Sequence, residues 1–470
     1  MVSPSKKPPA GASRTDAQKT AEYSRNARLL SVGIGVTGLV TYAYLSLARH
    51  NLTAAEFGSI SLLFSAVFVI VSVLYRPIEQ LLARTIAERQ QAGSAVRRPI
   101  ELAALIQLGL ALLFAAVALL MRTRIEDSLF DGDAALFWIM FWSVLIYAVS
   151  YFARGLLAGT KRIELYGLLV FVEAVSRVCF PLVVAVGLYS GSYSTQTVIA
   201  LGILAAPVLS LFVVPFALSR HNREASAAGL GLDDEDEVTA LIADESLLDA
   251  ASSTSAPEEI DFSLSKGSGF AVAALLIMLS EQTFLNAGPL IVNANGGDKV
   301  LVGLVFSVLL IARAPLQLFQ SVSTNLLPHL AELYAAGDVS AYKHSMMVTL
   351  RAIAAFAAAV AVGLALVGPF VMNLLLPGDY GRGGLVLVGV GMGLYLAAAT
   401  LNQSALAARR TFAAAACWVT SATAFVAWLL MPVVDNQLLR IEFGFAGAAG
   451  LLFAALFVIY LGTTRQMKSV

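Results

Sequence analysis

Twelve stretches of mostly apolar residues, each about the roughly 20 residues a helix needs to cross a bilayer, run the length of this 470-residue chain. They lie at 27–48, 57–82, 99–121, 134–154, 164–188, 195–219, 267–293, 300–327, 349–376, 384–408, 411–433 and 443–463. This one feature predicts an all-α polytopic membrane protein with about 12 transmembrane helices. The chain is 58% hydrophobic and 13% charged, with mean hydropathy +0.78, too apolar for a soluble fold of this length. The first run is longer than a signal-peptide core and lacks a small-residue cleavage site, so it is expected to remain as a spanning helix.

A formal net charge of zero hides a strong asymmetry. Residues 221–266 hold 12 of the 31 acidic residues, including the run DDEDE at 233–237, and the rest of the chain is basic. Lys and Arg collect in cytoplasmic loops. With the N-terminus inside, 21 basic residues fall on inner loops and tails and six fall outside (Arg49, Arg122, Arg124, Lys299, Arg382 and Arg440). Arg76, Arg177, Arg313 and Arg351 lie within helices or at their edges. The bias predicts a cytoplasmic-membrane protein with both termini cytoplasmic.

The acidic segment divides the runs into two sets of six. The expected organisation is a disordered cytoplasmic tail at 1–25, an N-lobe at 26–220, a flexible cytoplasmic linker at 221–266, a C-lobe at 267–464 and a short tail at 465–470. The linker has few residues that build a core, and its acids offer the alternative of a docking site for a basic partner. The lobes resemble each other in sequence. From Gly58 to Glu88 is 30 residues and from Gly303 to Glu332 is 29; from Gly58 to Gly159 is 101 and from Gly303 to Ala408 is 105. Six helices per unit insert both copies the same way, so the duplication predicts two six-helix lobes in a parallel repeat about the membrane normal.

Specific residues carry a resemblance to a known family. The stretch LARHNLTAAEFGSISLLFSAVFVI, followed by ARTIAE, places Arg49, Leu52, Glu56, Phe57, Gly58, Ala83, Arg84, Ile86 and Ala87. The stretch RGLLAGTKRIELYGLLVFVEAVSR places Arg154, Gly155, Gly159, Arg162, Tyr166, Glu173 and Arg177, and LLPHLAELYAAGDVSAYKH follows the eighth run. In order and spacing these resemble the multidrug/oligosaccharidyl-lipid/polysaccharide (MOP) exporter superfamily, in its Wzx-type polysaccharide flippase branch. Where many members carry an aspartate midway along the seventh helix, this chain has Glu281. The resemblance implies two lobes around a cavity that opens alternately to each side, and lipid-linked saccharides as cargo.

Charges inside the apolar runs are the candidate cavity residues, because a charge at the bilayer centre costs about 2.5–3.5 kcal/mol on insertion scales. They are Arg76, Glu79, Glu173, Arg177, Glu281 and Arg313. Glu173 and Arg177 stand four apart on one helix face and can pair, which stabilises a lobe without touching cargo. Arg76 and Glu79, three apart, can pair too, or Arg76 can snorkel to the nearby interface. Arg313 has no charge one turn away. It either bonds Glu281 at similar depth on the seventh helix or offers its planar fork to an anion. Pro77 and Pro315 each remove a helical hydrogen bond beside an arginine and favour a kink.

Several chemistries have no support. No Gly-Lys pair exists, so the phosphate-binding loop of ATPases is absent. The four histidines show no metal spacing, and no metal or other cofactor is expected. Cys179 and Cys417 read as small core residues. A multispan glycosyltransferase would want acids on an outward loop, where Asp131 and Asp133 are the nearest pair; the expectation is a non-enzyme. Expected partners are the lipid-linked saccharide and membrane lipid, a cation or proton as coupling ion, and a glycosyltransferase or wall-synthesis partner, with no nucleic acid. A cation-coupled drug or metabolite antiporter, or a non-transporting scaffold for wall-synthesis enzymes, stand as alternatives.

Overall fold

The computed structural model describes residues 37–91, 94–227 and 264–469. The tail expected at 1–25 and most of the linker expected at 221–266 lie outside them. Among the described residues the regular structure is wholly helical, as a chain must be when its backbone has no water to bond. Among the described residues, ten helices are long and apolar enough to cross a membrane.

The N-lobe comprises α1 (37–51), α2 (Ala54–Leu74), α3 (Arg76–Gln91), α4 (Arg97–Leu120), the short α5 (Arg122–Phe130), α6 (Ala134–Gly159), α7 (Ile163–Ala185) and α8 (Thr195–Ala227). The C-lobe comprises α9 (Leu264–Ala294), α10 (Lys299–Ala335), α11 (Val339–Leu375), α12 (Arg382–Ala407), α13 (Thr411–Leu430) and α14 (Gln437–Ser469). Over its described residues, each of the twelve apolar runs falls on one of these helices, α2 and α3 together serving as the second span. We call the side where α14 ends the terminal face, and the side where α2 begins the opposite face.

Local chemistry sets several boundaries. Thr53 caps α2, its Oγ1 accepting from the Glu56 amide at 3.3 Å while Glu56 Oε2 accepts from the Thr53 amide at 2.8 Å, a reciprocal box that satisfies two end donors. The second span breaks at Tyr75, two residues before Pro77, where the proline ring opposes the preceding turn. Pro315 has no such effect: α10 continues through it as one helix.

One apolar core joins the lobes. In the N-lobe α6 packs on α3 and α8, and α7 on α8; in the C-lobe α12 packs on α10, α11 and α14, and α9 on α13. The lobes meet mainly where α2 lies against α9 and α10. At that seam the two glycines equated by the sequence repeat touch. A Cβ on Gly303 would lie 3.4 Å from Gly58 Cα, and one on Gly58 would lie 1.8 Å from the Lys299 carbonyl oxygen. Two equivalent positions can meet only near the axis relating them, so this contact marks the parallel repeat. Helix α11, the least buried of the ten spans, and α4 stand at the periphery, with Leu105, Leu112, Leu366 and Phe370 exposed.

Cys179 departs from its expected core role. It is exposed on α7, whereas Cys417 is half-buried against the core. An apolar residue on a spanning helix faces either lipid or protein, and both are apolar.

Candidate functional site

The N-lobe encloses a buried charged network built on α6 and α7. Glu173 on α7 receives two arginines: Arg177, one turn along, at 3.1 Å, and Arg154 from α6. The expected Glu173–Arg177 pair is therefore present, but it is half of a triad. Tyr147 ties the set together, donating to Glu173 Oε1 at 2.9 Å and accepting from Arg177 Nη2 at 2.8 Å. Exposure of the Arg154, Glu173 and Arg177 side chains is 10%, 7% and 4%. Two guanidinium groups share one carboxylate, and the Nε atoms of both arginines lack partners.

Arg154 was counted with the inner loop in the sequence. Helix α6 in fact runs on to Gly159, which carries Arg154 inward and sets its guanidinium 4.6 Å over the Tyr151 ring. Tyr147 and Tyr151 had no sequence signal beyond lying in an aromatic-rich run.

Arg76 and Glu79 stand at the head of α3, just past the break. Glu79 accepts from the Tyr166 hydroxyl at 3.1 Å rather than forming a direct ion pair with Arg76. Both side chains are half-buried. Helix α9, which carries Glu281, touches α3, which carries Arg76, across the lobe boundary.

Arg313 settles differently from either sequence expectation alone. It donates to the Leu285 carbonyl at 2.5 Å and to Asn286 Oδ1 at 2.6 Å, both on α9, and its guanidinium lies 5.0 Å from the Phe306 ring centre. Glu281 is at similar depth, but Asn286 is five residues on, about 140° around a helix of 3.6 residues per turn. The two side chains therefore leave α9 in different directions. Arg313 keeps a partly accessible side chain and an unpartnered Nε, with only neutral acceptors.

Aromatic rings connect the arginines of the two lobes. Arg177 lies 6.0 Å from the Phe64 ring centre and 5.3 Å from that of Phe68, and Phe64 meets Phe306 edge-on at 5.6 Å. Phe57 also meets Phe306, at 6.4 Å. This layer of rings lies between Arg177 of the N-lobe and Arg313 of the C-lobe.

The opposite face is shut. Lys299 at the head of α10 donates to the Leu129 carbonyl at 2.8 Å and Asn293 Oδ1 at 2.7 Å, and pairs with Asp131 at 3.3 Å. Asn293 donates to the Ser128 carbonyl at 2.7 Å, and Ser46 to the Leu375 carbonyl at 2.6 Å. Every one of these bonds except Lys299–Asn293 crosses between lobes. Asp131 is thus a clasp residue, and Asp133 caps α6 by accepting from the Ala135 and Leu136 amides at 2.9 and 3.3 Å.

A further acid escaped the sequence reading because the last run appeared to begin at 443. Helix α14 starts at Gln437, so Glu442 is drawn in and is 2% exposed. Its carboxylate fills the notch left by Gly384, where a Cβ would lie 2.0 Å from Oε2. It has no hydrogen-bond or ion-pair partner among the described residues. Those residues also contain no group of three or more His, Cys, Asp or Glu placed to hold a metal ion.

The fold defines a class: a two-lobed helical membrane protein, closed on one face, with charged residues between and within its lobes. Comparison with solved structures gives that class a family likeness. The chain is similar to an inward-facing multidrug resistance MATE family transporter of the MOP superfamily, at TM-score 0.65 and 13% identity over 94% of this chain and 98% of the other. It is similar to an outward-facing MATE family transporter of the same superfamily at TM-score 0.54 and 14% identity, covering 95% and 96%. A mutant form of the Vibrio cholerae MATE transporter VcmN gives 0.58 and 14%, covering 96% and 99%. No protein-family model matches the chain, and no curated protein matches it. The likeness shows that the chain has the fold of these transporters, with a higher TM-score against the inward-facing structure than against the outward-facing one.

Proposed function

We propose that this protein is an alternating-access transporter of the cytoplasmic membrane that flips a polyprenyl-phosphate- or diphosphate-linked saccharide to the outer leaflet, for cell-envelope polysaccharide synthesis. The opposite face is then the outside, consistent with the basic loops of the terminal face. The supporting observation is the inventory of charges around the aromatic layer. Arg76, Arg154, Arg177 and Arg313 stand against Glu79, Glu173 and Glu281, an excess of one cation where bare charge is costly. Arg313 is the cation whose protein partners are all neutral. Its forked donors suit phosphate oxygens. In this cycle the headgroup enters from the inside, its phosphate displaces the neutral acceptors of Arg313, and the prenyl tail stays in lipid while the outer clasp opens.

A second reading is a cation-coupled drug or metabolite antiporter. The names of the similar structures favour it, as does the presence of Glu281 on the lobe boundary, where a coupling cation or proton is expected to act.

Proteoliposomes carrying a polyprenyl-diphosphate saccharide separate the two. Arg313→Ala strands no carboxylate, so the protein should keep its thermal stability while flipping falls by tenfold or more, about 1.4 kcal/mol of lost phosphate contact. Arg313→Lys should recover part of the rate, since an ammonium cannot make the two-pronged contact. Wild-type flipping by a stable Arg313→Ala protein removes Arg313 from the site. Gradient-driven export of a cationic dye, with no saccharide flipping by the wild type, establishes the antiporter instead.

A further inference from the structure

A cavity of about 410 Å³ opens on the outer flank of the C-lobe, away from the lobe boundary. Helix α12 forms its floor with Gly393, Leu394 and Ala397; α11 forms one wall with Ala354 and Ala358; and Phe453 of α14 closes the other side. Its volume falls within the range of about 300–1,000 Å³ usual for ligand pockets. The lining is apolar except for Arg351, which stands at one end.

Depth gives Arg351 its meaning. It lies 24 residues before Leu375, the last residue of α11, or about 36 Å at 1.5 Å per residue. The hydrocarbon core is about 30 Å thick. Arg351 therefore sits at the headgroup level of the leaflet on the terminal face, with the cavity rising from it into the hydrocarbon. His344 and Met347 lie seven and four residues earlier on the same helical face, and Lys343 adjoins them, so the approach is basic. Arg351 makes no hydrogen bond or ion pair with any described residue. The corresponding helix of the N-lobe differs, since Arg97 at the foot of α4 is neutralised by Glu101 at 2.8 Å.

We propose that this groove holds a resident anionic glycerophospholipid of the terminal-face leaflet, its phosphate on Arg351 and one acyl chain along α12 between α11 and Phe453. The occupant is a phospholipid rather than the tail of a transported lipid because of where the groove lies. Helix α11 packs mainly on α10, α12 and α14 of the C-lobe, and its bond to the N-lobe, from Ser46 to the Leu375 carbonyl, lies at the far end of the helix, so a headgroup held at Arg351 is separate from the Arg76–Glu281 boundary. The inference stands whether or not the flippase reading does.

Native mass spectrometry of the full chain, released from bilayers containing equal phosphatidylglycerol and phosphatidylcholine, tests this directly. The wild type should retain one phosphatidylglycerol in preference to phosphatidylcholine. A surface cation contributes about 1 kcal/mol to anionic-lipid binding, so Arg351→Gln should lower retention about fivefold, with Arg351→Lys keeping most of it. Ala358→Phe, at an exposed position of α11, should fill the groove and abolish retention while leaving the cation in place. Arg98→Gln, a basic residue at the foot of α4 outside the groove, should change nothing. Equal retention of both lipids by the wild type overturns the proposal, as does unchanged retention in Arg351→Gln or Ala358→Phe. Stronger retention of added polyprenyl phosphate than of phosphatidylglycerol also overturns it, and assigns the groove to cargo.

Discussion

Glu173→Gln should destabilise this protein more than any other neutralisation of a buried acid. The carboxylate holds Arg154, Arg177 and the Tyr147 hydroxyl at once, and a carboxamide leaves two guanidinium groups facing each other without an anion between them. Breaking a buried ion pair by removing one partner costs about 3–5 kcal/mol, or a drop in Tm of roughly 3–5 °C by the usual scaling with chain size. Removing a second charge should return part of the loss. Glu173→Gln combined with Arg177→Met is expected to be more stable than Glu173→Gln alone, because residues of one network are strongly non-additive. Glu442→Gln is the matched control. That carboxylate is equally buried but partnerless, so the same chemical change removes nothing and Tm should hardly move. Thermal unfolding in detergent checks all four proteins. Equal losses at Glu173 and Glu442 would show that burial rather than pairing governs both sites.

Gly58→Ala should open the opposite face. A single methyl there would lie 1.8 Å from the Lys299 carbonyl oxygen. Because the obstacle is backbone, no rotamer change relieves it, and α2 must part from α10. Overpacking costs about 1–3 kcal/mol, and this cost falls only on the state in which the two helices touch. The ratio of closed to open molecules should therefore fall about 5–150-fold. Spin labels at exposed positions in place of Arg124 and Asn295, on either side of the clasp, should report a longer distance in Gly58→Ala than in the parent. Lys299→Ala should shift the same distance in the same direction by less, since it removes hydrogen bonds without adding a clash. An unchanged distance in a folded Gly58→Ala protein would mean that the glycine contact does not gate the opposite face.

These two cases divide the structure between what was legible beforehand and what was not. The Gly58–Gly303 equivalence came from spacing alone, yet nothing in the spacing said that the pair would touch. Glu173 and Arg177 were paired by helical periodicity, which is local. Arg154 was missed as their third member because it comes from another helix, and the end of α6 could not be placed to within a turn. Glu442 was missed for the same reason at the start of α14. Arg313 and Glu281 were matched by depth, a coordinate the sequence does supply. Rotation about α9 separated them, and rotation depends on packing against α2, α10 and α13.

The sequence by itself determined the spans, their helical state, the number of lobes and the repeat. In hydrocarbon a backbone has to bond within its own segment, so length and apolarity suffice to fix each helix. Only the tertiary structure decided which faces are core and which are lipid, which charges meet, and which face of the membrane is shut. Lipid tails are as apolar as the side chains of a helix interface, so no hydrophobic pattern distinguishes Cys179 on the outside from Cys417 against the core. The contacts between helices are set by close packing of small residues and by a few polar bonds. Those depend on the angle at which each helix is turned toward its neighbour.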